Sequence, residues 1–508
     1  MDGLVELNLY GRDYEQELRP LLRAFLPNAE FDVNHYEAEE EPMRDLCREE
    51  PKALLSANAA YDWSFACILM EEWFRIRVYR KGELVGSSDA DDVDPERKAY
   101  RNRVAREIYR ILSKETGQAL PWGILTGVRP TKLVYEGLEA GEARESIEER
   151  LRNEYLVSDE KIATSFTVAT RERDILTAMN YRDGYSIYIG IPFCPTTCHY
   201  CSFTSYPLAK YGGLTDAYLT ALTKELQYLG GCLPQKKLQT VYIGGGTPTA
   251  LSAEQLERLL QTVRDTLPME HCIEYTVEAG RPDSITARKL QVLKEYGVTR
   301  ISINPQTMQQ RTLDLIGRRH TVAQIVEAMH MAREAGHDNI NMDIIIGLTG
   351  EGPEDVADTL SQIAELSPDS LTVHTLARKR AARLTTQKEL YEGMEAHGVK
   401  EMLAESIAFC KEHDYLPYYL YRQKNMAENL ENVGYARFGR EGIYNILIME
   451  EKQTILAAGA GAMSKFVFPA EDRIERVENV KSLTDYIERI DEMIERKKAF
   501  FENCTGEL

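Results

Sequence analysis

The chain has 508 residues, 43% hydrophobic and 28% charged, with a net charge of −20. This composition suits a soluble globular protein of roughly two to four domains with ample core. The acidity argues against a broad nucleic-acid-binding face, no apolar run approaches the ~20 residues that span a bilayer, and the opening MDGLVELNLYGRDYEQEL lacks a basic region followed by an apolar stretch, so no secretory signal is expected.

Residues 1–90 read as a small α+β domain, with a strand at Leu4–Leu9, a helix over Asp13–Phe25, and strands near Ala29–Tyr36 and Ser64–Tyr79. Residues 91–180 read as a helical linker region. It is interrupted by Pro121–Pro130, a structured loop carrying Trp122 and Arg129, with Lys132 just beyond; interdomain packing is its expected role, with substrate contact the other reading. From 181 to 380, β-branched apolar strands alternate with amphipathic helices. The strands are Ser186–Ile191, Thr240–Ile243, Cys272–Val277, Thr299–Ile303, Asn339–Ile346 and Ser370–Thr375. The helices between them are Thr215–Leu229, Ala253–Leu267, Asp283–Tyr296, Val322–Ala335 and Pro353–Leu366. Near-continuous hydrophobicity suits strands covered on both faces. The alternation predicts right-handed βαβ units and an α/β fold whose centre is a partial (β/α)6 barrel. Residues 381–508 read as a mainly helical C-terminal domain, with a tyrosine-rich stretch at Tyr415–Tyr421 and a small-residue run at Ala457–Ala462.

The chemistry collects after the strands, where a parallel barrel places its active site. After the first strand comes Cys194-Pro-Thr-Thr-Cys198-His-Tyr-Cys201. Its spacing lets three thiols serve one iron–sulfur cluster. A structural zinc site would take a fourth Cys or His in a second knuckle, and His199 sits too close to its neighbours to close a tetrahedron easily. A disulfide would leave an odd thiol, and nine cysteines in a chain with no expected secretion signal suit a reducing cytoplasm. Three ligands on a four-iron cube leave one iron open to a cofactor or substrate. Gly244-Gly-Gly-Thr-Pro-Thr249 follows the second strand. Glu278 ends the third, with Arg281 and Pro282 beyond. Asn304 and Gln306 follow the fourth, Arg318 comes a little later, Asp343 lies in the fifth, and His374 and Ala377 end the sixth. Glycines let backbone approach a ligand closely. A carboxylate binds an amine or ribose hydroxyls, and an arginine pairs with a carboxylate. The set suits an amino acid joined to a nucleoside.

On these residues the chain resembles the radical S-adenosylmethionine superfamily, whose signature is the Cys-x3-Cys-x2-Cys loop and whose glycine motif matches Gly244–Thr247. More narrowly it resembles the oxygen-independent coproporphyrinogen III dehydrogenase group and its HemZ-type subgroup. The matching stretches include Tyr188–Cys194, the Gln306-to-Arg318 spacing and Asn341–Gly347. The resemblance implies that Cys194, Cys198 and Cys201 hold a [4Fe–4S] cluster. It implies that Gly245, Gly246, Thr247, Glu278, Gln306, Arg318, Asp343 and Ala377 line a site for S-adenosyl-L-methionine, and that Tyr188 stands near the substrate as a catalytic residue. It also implies a 5′-deoxyadenosyl radical, oxidative decarboxylation of two propionates to vinyls in porphyrin and heme biosynthesis, and a flavodoxin- or ferredoxin-type electron donor. The substrate would be a porphyrinogen or heme-like small molecule, with no nucleic-acid partner. Arg378, Lys379, Arg380 and Arg383 are candidates for the propionates, with a solvated helix start as their other reading. The pattern departs from the group where Gly190 replaces a histidine and Phe203 a cysteine. A heme-binding chaperone of the same group also ends its motif in Cys-x-Phe, but its His-Asn-x-x-Tyr-Trp stretch corresponds here to Arg440–Asn445, which has no histidine. His199 or His374 are the histidines left for heme, and a heme-degrading radical enzyme is a third relative.

Overall fold

The computed structural model describes residues 3–27, 29–38, 60–377, 382–387, 391, 393–394, 396–423 and 430–504, and of Arg383 the backbone. These residues form two units. One comprises the described residues of Met1–Ala169 and Arg422–Asn429, the other those of Thr170–Tyr421 and Leu430–Leu508.

The first unit is built on a five-stranded sheet of β1 (Leu4–Gly11), β2 (Glu30–Tyr36), β3 (Trp63–Leu69), β4 (Phe74–Arg80) and β5 (Glu83–Ala90), in the order β2-β1-β3-β4-β5. β1 runs parallel to β2 and β3, and β3, β4 and β5 form an antiparallel meander. The alternation in β1 is a clean period of two: Val5, Leu7 and Leu9 are buried and the residues between them are not. Helix Glu15–Phe25 buries Leu18, Leu21, Leu22 and Phe25, the spacing of one helical face. Helices Arg97–Thr116, Lys132–Glu139 and Arg144–Asn153 complete the unit, and helix Asp159–Met179 begins within it. Trp122 is buried.

The second unit holds an open sheet of eleven strands. Its centre is six parallel strands: β6 (Gly184–Ile191), then, after the short β7 (Phe193–Cys194) and β8 (Tyr206–Pro207), β9 (Lys237–Gly245), β10 (Glu274–Gly280), β11 (Arg300–Ile303), β12 (Ile340–Ile346) and β13 (Ser370–Thr375). They stand in sequence order from β6 to β13. All six expected strands are present, joined by helices Thr215–Leu229, Ala253–Thr266, Ala287–Glu295, Val322–Glu334 and Pro353–Leu366. The helix starts are written locally. Ser252 with Gln255 and Thr321 with Gln324 form capping boxes, Thr286 accepts from Lys289 N, and Pro353 opens its helix.

Among its described residues the C-terminal region carries helices Val399–Glu412, Ile443–Glu450, Leu483–Glu488 and Ile490–Asn503. It also extends the sheet at both ends, which the sequence pattern did not reveal. β14 (Leu416–Tyr421) and β15 (Asn432–Ala436) add antiparallel strands beyond β13. β16 (Ile455–Ala458) pairs parallel to β6, followed by antiparallel β17 (Met463–Phe468) and β18 (Arg473–Glu478). The small-residue run is thus the end of a strand beside β6. Its turn needs small residues, because a Cβ on Gly459 (φ +106°) would stand 2.5 Å from Gly190 O. No described helix is long and apolar enough to cross a membrane.

Candidate functional site

The register of β6 on β9 sets Gly190 beside Gly244 and Ile191 beside Gly245. The strand end that launches the cysteine loop therefore lies against the glycine motif. Gly246 N donates to Ile191 O at 2.8 Å and Thr247 N to Phe193 O at 2.7 Å. Gly245 has φ +104°, open to glycine and strained for other residues. A Cβ on Gly246 would meet Phe193 O at 2.6 Å, and one on Gly244 would meet the Glu278 carboxyl at 2.9 Å. The glycines are needed first to seat the loop.

The loop is closed at its base by the parallel pair β7 and β8. Cys194 and Cys198 are buried and Cys201 is half-buried. Thr247 Oγ1 donates to Cys194 Sγ at 3.5 Å. Burial pushes the Cys194 thiol up to about 11 against the hydrogen bond from Thr247, and the neighbouring Cys201 and Cys198 add to the rise. Arg281 spans from β10 into the loop, donating to Thr196 Oγ1 at 2.7 Å, Thr196 O at 3.1 Å and Cys198 Sγ at 3.8 Å. His199 is tied to the segment after β11: its amide donates to Ile316 O at 2.9 Å, and its Nδ1 lies 3.1 Å from Leu315 O and 2.6 Å from Tyr391 Oη. Tyr200 packs on Ile316, Ile345 and Leu348. Beside the loop lies a cavity of about 660 Å³ bordered by Thr196, Thr197, His199, Arg318 and Arg319.

The remaining strand ends face the same mouth. Tyr242 Oη donates to Glu278 Oε1 at 2.5 Å, and burial pushes the Glu278 carboxyl up to about 7 against that hydrogen bond. Tyr188 is stacked with Tyr242 and Tyr444, at centroid distances of 6.2 and 6.4 Å, and Tyr242 and Tyr444 stack at 4.5 Å. Burial alone would raise Asp343. His374, with Nε2 3.8 Å away, and hydrogen bonds from Asn341 and Thr372 outweigh it and hold the carboxyl below its ordinary value. Gln306 has φ +70°, a left-handed conformation rare for a residue with a side chain. It is held there by Gln306 N on Asp343 O and Ile345 N on Gln306 O, both 2.9 Å. Arg318 is buried and its Nη1 donates to Asn304 O at 2.5 Å. Ala377 is half-buried just past β13. Arg378, Lys379 and Arg380, and the side chain of Arg383, lie outside the described residues.

The buried polar atoms here with no hydrogen-bond partner include Gln306 Oε1, Arg318 Nε and both ring nitrogens of His320. An acceptor and a cationic donor left unsatisfied at the mouth fit a zwitterionic ligand. Among the described residues no three His, Cys, Asp or Glu side chains close around a single ion. A four-iron cube asks for something else, since each thiolate takes a different iron.

Residues 188–363 match the Radical SAM superfamily. The chain is 44% identical over 416 residues, 80% of its length and 83% of the relative's, to the oxygen-independent coproporphyrinogen-III oxidase-like protein HemZ of Bacillus subtilis. It belongs to the HemZ-type group of the radical SAM superfamily. Its cofactors are accordingly a [4Fe–4S] cluster and S-adenosyl-L-methionine. The heme chaperone HemW of Bacillus subtilis is 36% identical over 235 residues, 42% of this chain and 61% of the chaperone. The solved coproporphyrinogen III oxidase HemN of Escherichia coli shares the fold, with a TM-score of 0.50 at 24% identity over 63% of this chain and 73% of that one.

Several residues of this HemZ-type site carried no assignment from sequence. The sequence pattern assigns Arg281, just beyond β10, no role, although Asp283 two residues on offers it a partner. Nothing in the sequence marks Tyr242, Tyr444 or His320, which is fully buried beside Asp283.

Proposed function

We propose that this chain is an oxidoreductase that takes hydrogen from, and decarboxylates, propionate side chains of a coproporphyrinogen III-like tetrapyrrole. The observation that carries the reading is the seating of the three-cysteine loop on the glycine motif beside the unpartnered Gln306 Oε1 and Arg318 Nε. The name of the Bacillus subtilis relative supports the substrate class. Once bound, the cluster and S-adenosylmethionine supply an electron and a carbon-centred radical able to take a hydrogen atom. The chain's residues bind and orient. Cys194, Cys198 and Cys201 would hold the cluster. Gly245, Gly246, Thr247, Glu278, Gln306, Arg318, Asp343 and Ala377 would line the S-adenosylmethionine site. Tyr188, fixed by its aromatic stack, would bound the substrate side and exclude water. Each propionate loses one hydrogen atom, CO2 and one electron to become a vinyl. Turnover therefore needs a one-electron acceptor as well as a flavodoxin- or ferredoxin-type donor.

The test is anaerobic incubation of reconstituted protein with reductant, S-adenosylmethionine and coproporphyrinogen III. Vinyl products are expected; 5′-deoxyadenosine without any vinyl product overturns the substrate. A second reading, a heme-binding chaperone, is favoured by the HemW match and by Phe203, which is 75% exposed where the group's dehydrogenases have a cysteine. It requires a saturable Soret shift on heme titration, and a flat titration removes it.

A further inference from the structure

A guanidinium held against Cys198 is the part of the mouth that the proposed reaction leaves without a role. The Arg281 side chain is 3% exposed. Asp283 grips it by both oxygens, accepting from Nε at 2.9 Å and Nη2 at 2.6 Å. The remaining nitrogen, Nη1, points into the cysteine loop, to Thr196 and to Cys198 Sγ. Arg318, buried and donating from Nη1 to Asn304 O at 2.5 Å, is the second guanidinium of the same mouth. His320, with neither ring nitrogen partnered, lies 4.0 Å from Asp283, and burial together with Arg318 pushes it down to about 3, so it adds no charge. Two guanidiniums and one carboxylate therefore lie on this side of the mouth, Arg281 alone reaching Cys198, and together they leave one net positive charge in a buried setting.

We infer that Arg281 is a positioning residue that sets how readily a cluster on Cys198 accepts an electron. Reduction places an extra negative charge on the cluster. A hydrogen bond to a ligating sulfur and an adjacent buried cation both favour the reduced state. The Asp283 grip fixes the fork so that Nη1 alone reaches the loop, a geometry that lysine's point charge does not reproduce. The inference rests on the cysteine loop holding a cluster, which the iron and sulfide content of the wild-type protein tests on its own. It does not depend on the substrate.

The experiment is a potentiometric titration of the reconstituted cluster, followed by electron paramagnetic resonance of its reduced form. Arg281→Gln is expected to lower the reduced-to-oxidised ratio at a fixed potential about tenfold, equivalent to about 59 mV for a one-electron couple. Arg281→Lys is expected to lower it by less. Asp283→Asn removes the compensating carboxylate and is expected to move the midpoint the other way, upward. Arg281→Gln protein with full iron content and a wild-type midpoint overturns the inference. So does a downward shift in Asp283→Asn, which would mean that both substitutions merely loosen the loop. The Asp283→Asn midpoint decides the matter even where Arg281→Gln does not fold.

Discussion

Gly246→Ala isolates the seat of the cysteine loop from the cysteines themselves. The added Cβ would stand 2.6 Å from Phe193 O and 2.8 Å from Ile191 O, where ordinary contact begins at 3.4 Å, so the two backbones must part by about 0.8 Å (3.4 less 2.6). Those carbonyls also accept the Gly246 and Thr247 amides, so the movement stretches both hydrogen bonds. Overpacking and two weakened bonds together cost about 2–4 kcal/mol. A displacement approaching 1 Å in a reacting geometry costs about 10²-fold in rate. We expect a lower thermal midpoint, incomplete iron loading, and 5′-deoxyadenosine formation reduced about 100-fold per cluster. Gly213→Ala is the control, because a Cβ there meets no atom within 4 Å. A Gly246→Ala protein with the wild-type midpoint and wild-type 5′-deoxyadenosine rate would refute the reasoning.

Lys497→Met should destabilise the protein by about 3–5 kcal/mol, because it strips the cation from the buried Glu225, whose pair with Lys497 is 2.6 Å long and 1% or less exposed. Denaturation of the double variant Lys497→Met/Glu225→Gln should recover part of that loss. Gln306→Ala should leave the cofactor-free protein as stable as wild type or more so, since an unpartnered buried polar atom costs about 1–3 kcal/mol. Its affinity for S-adenosylmethionine, read by calorimetry, should fall. Glu278 has a folded pKa of about 7 against 4.5 for the free group. The native state thus holds more protons between these values, and its contribution is full below pH 4.5 and lost as pH rises through 7. Glu278→Gln should remove about 3 kcal/mol of that slope from the cofactor-free protein, measured as thermal midpoint against pH. Glu351, also pushed up to about 7 by burial, adds to the fall in the same window, and His320, pushed down to about 3, opposes it below 6.5.

The parallel strands were legible because each is a short β-branched run that must be apolar on both faces, and the helices between them carry their own caps. Tyr415–Tyr421 is only a tyrosine-rich stretch to the sequence pattern, in a region that reads as mainly helical, yet most of it is β14, paired to β15 across a register shift. β16 is four small or aliphatic residues whose extended form is fixed by pairing with β6, not by their own propensity. At the site, the residue types and their order after each strand were visible. Conformation and partners were not. The left-handed Gln306 is imposed by two hydrogen bonds to β12, and the reach of Arg281 to Cys198 depends on how β10 lies beside the loop. Periodicity describes which face a residue takes; it is silent on which side chain from another element will meet it there.

β6, the strand that launches the cysteine loop, has neighbours of very different age in synthesis. β9 follows it closely, whereas β16 arrives much later: Ser186 and its partner Gln453 are 267 residues apart in the chain. Until that segment leaves the ribosome, one side of β6 is an unpaired edge, and Gly190 O lacks the turn that Gly459 makes against it. The strand that launches the cysteine loop therefore gains its second neighbour only when residues 455–458 are available, late in synthesis.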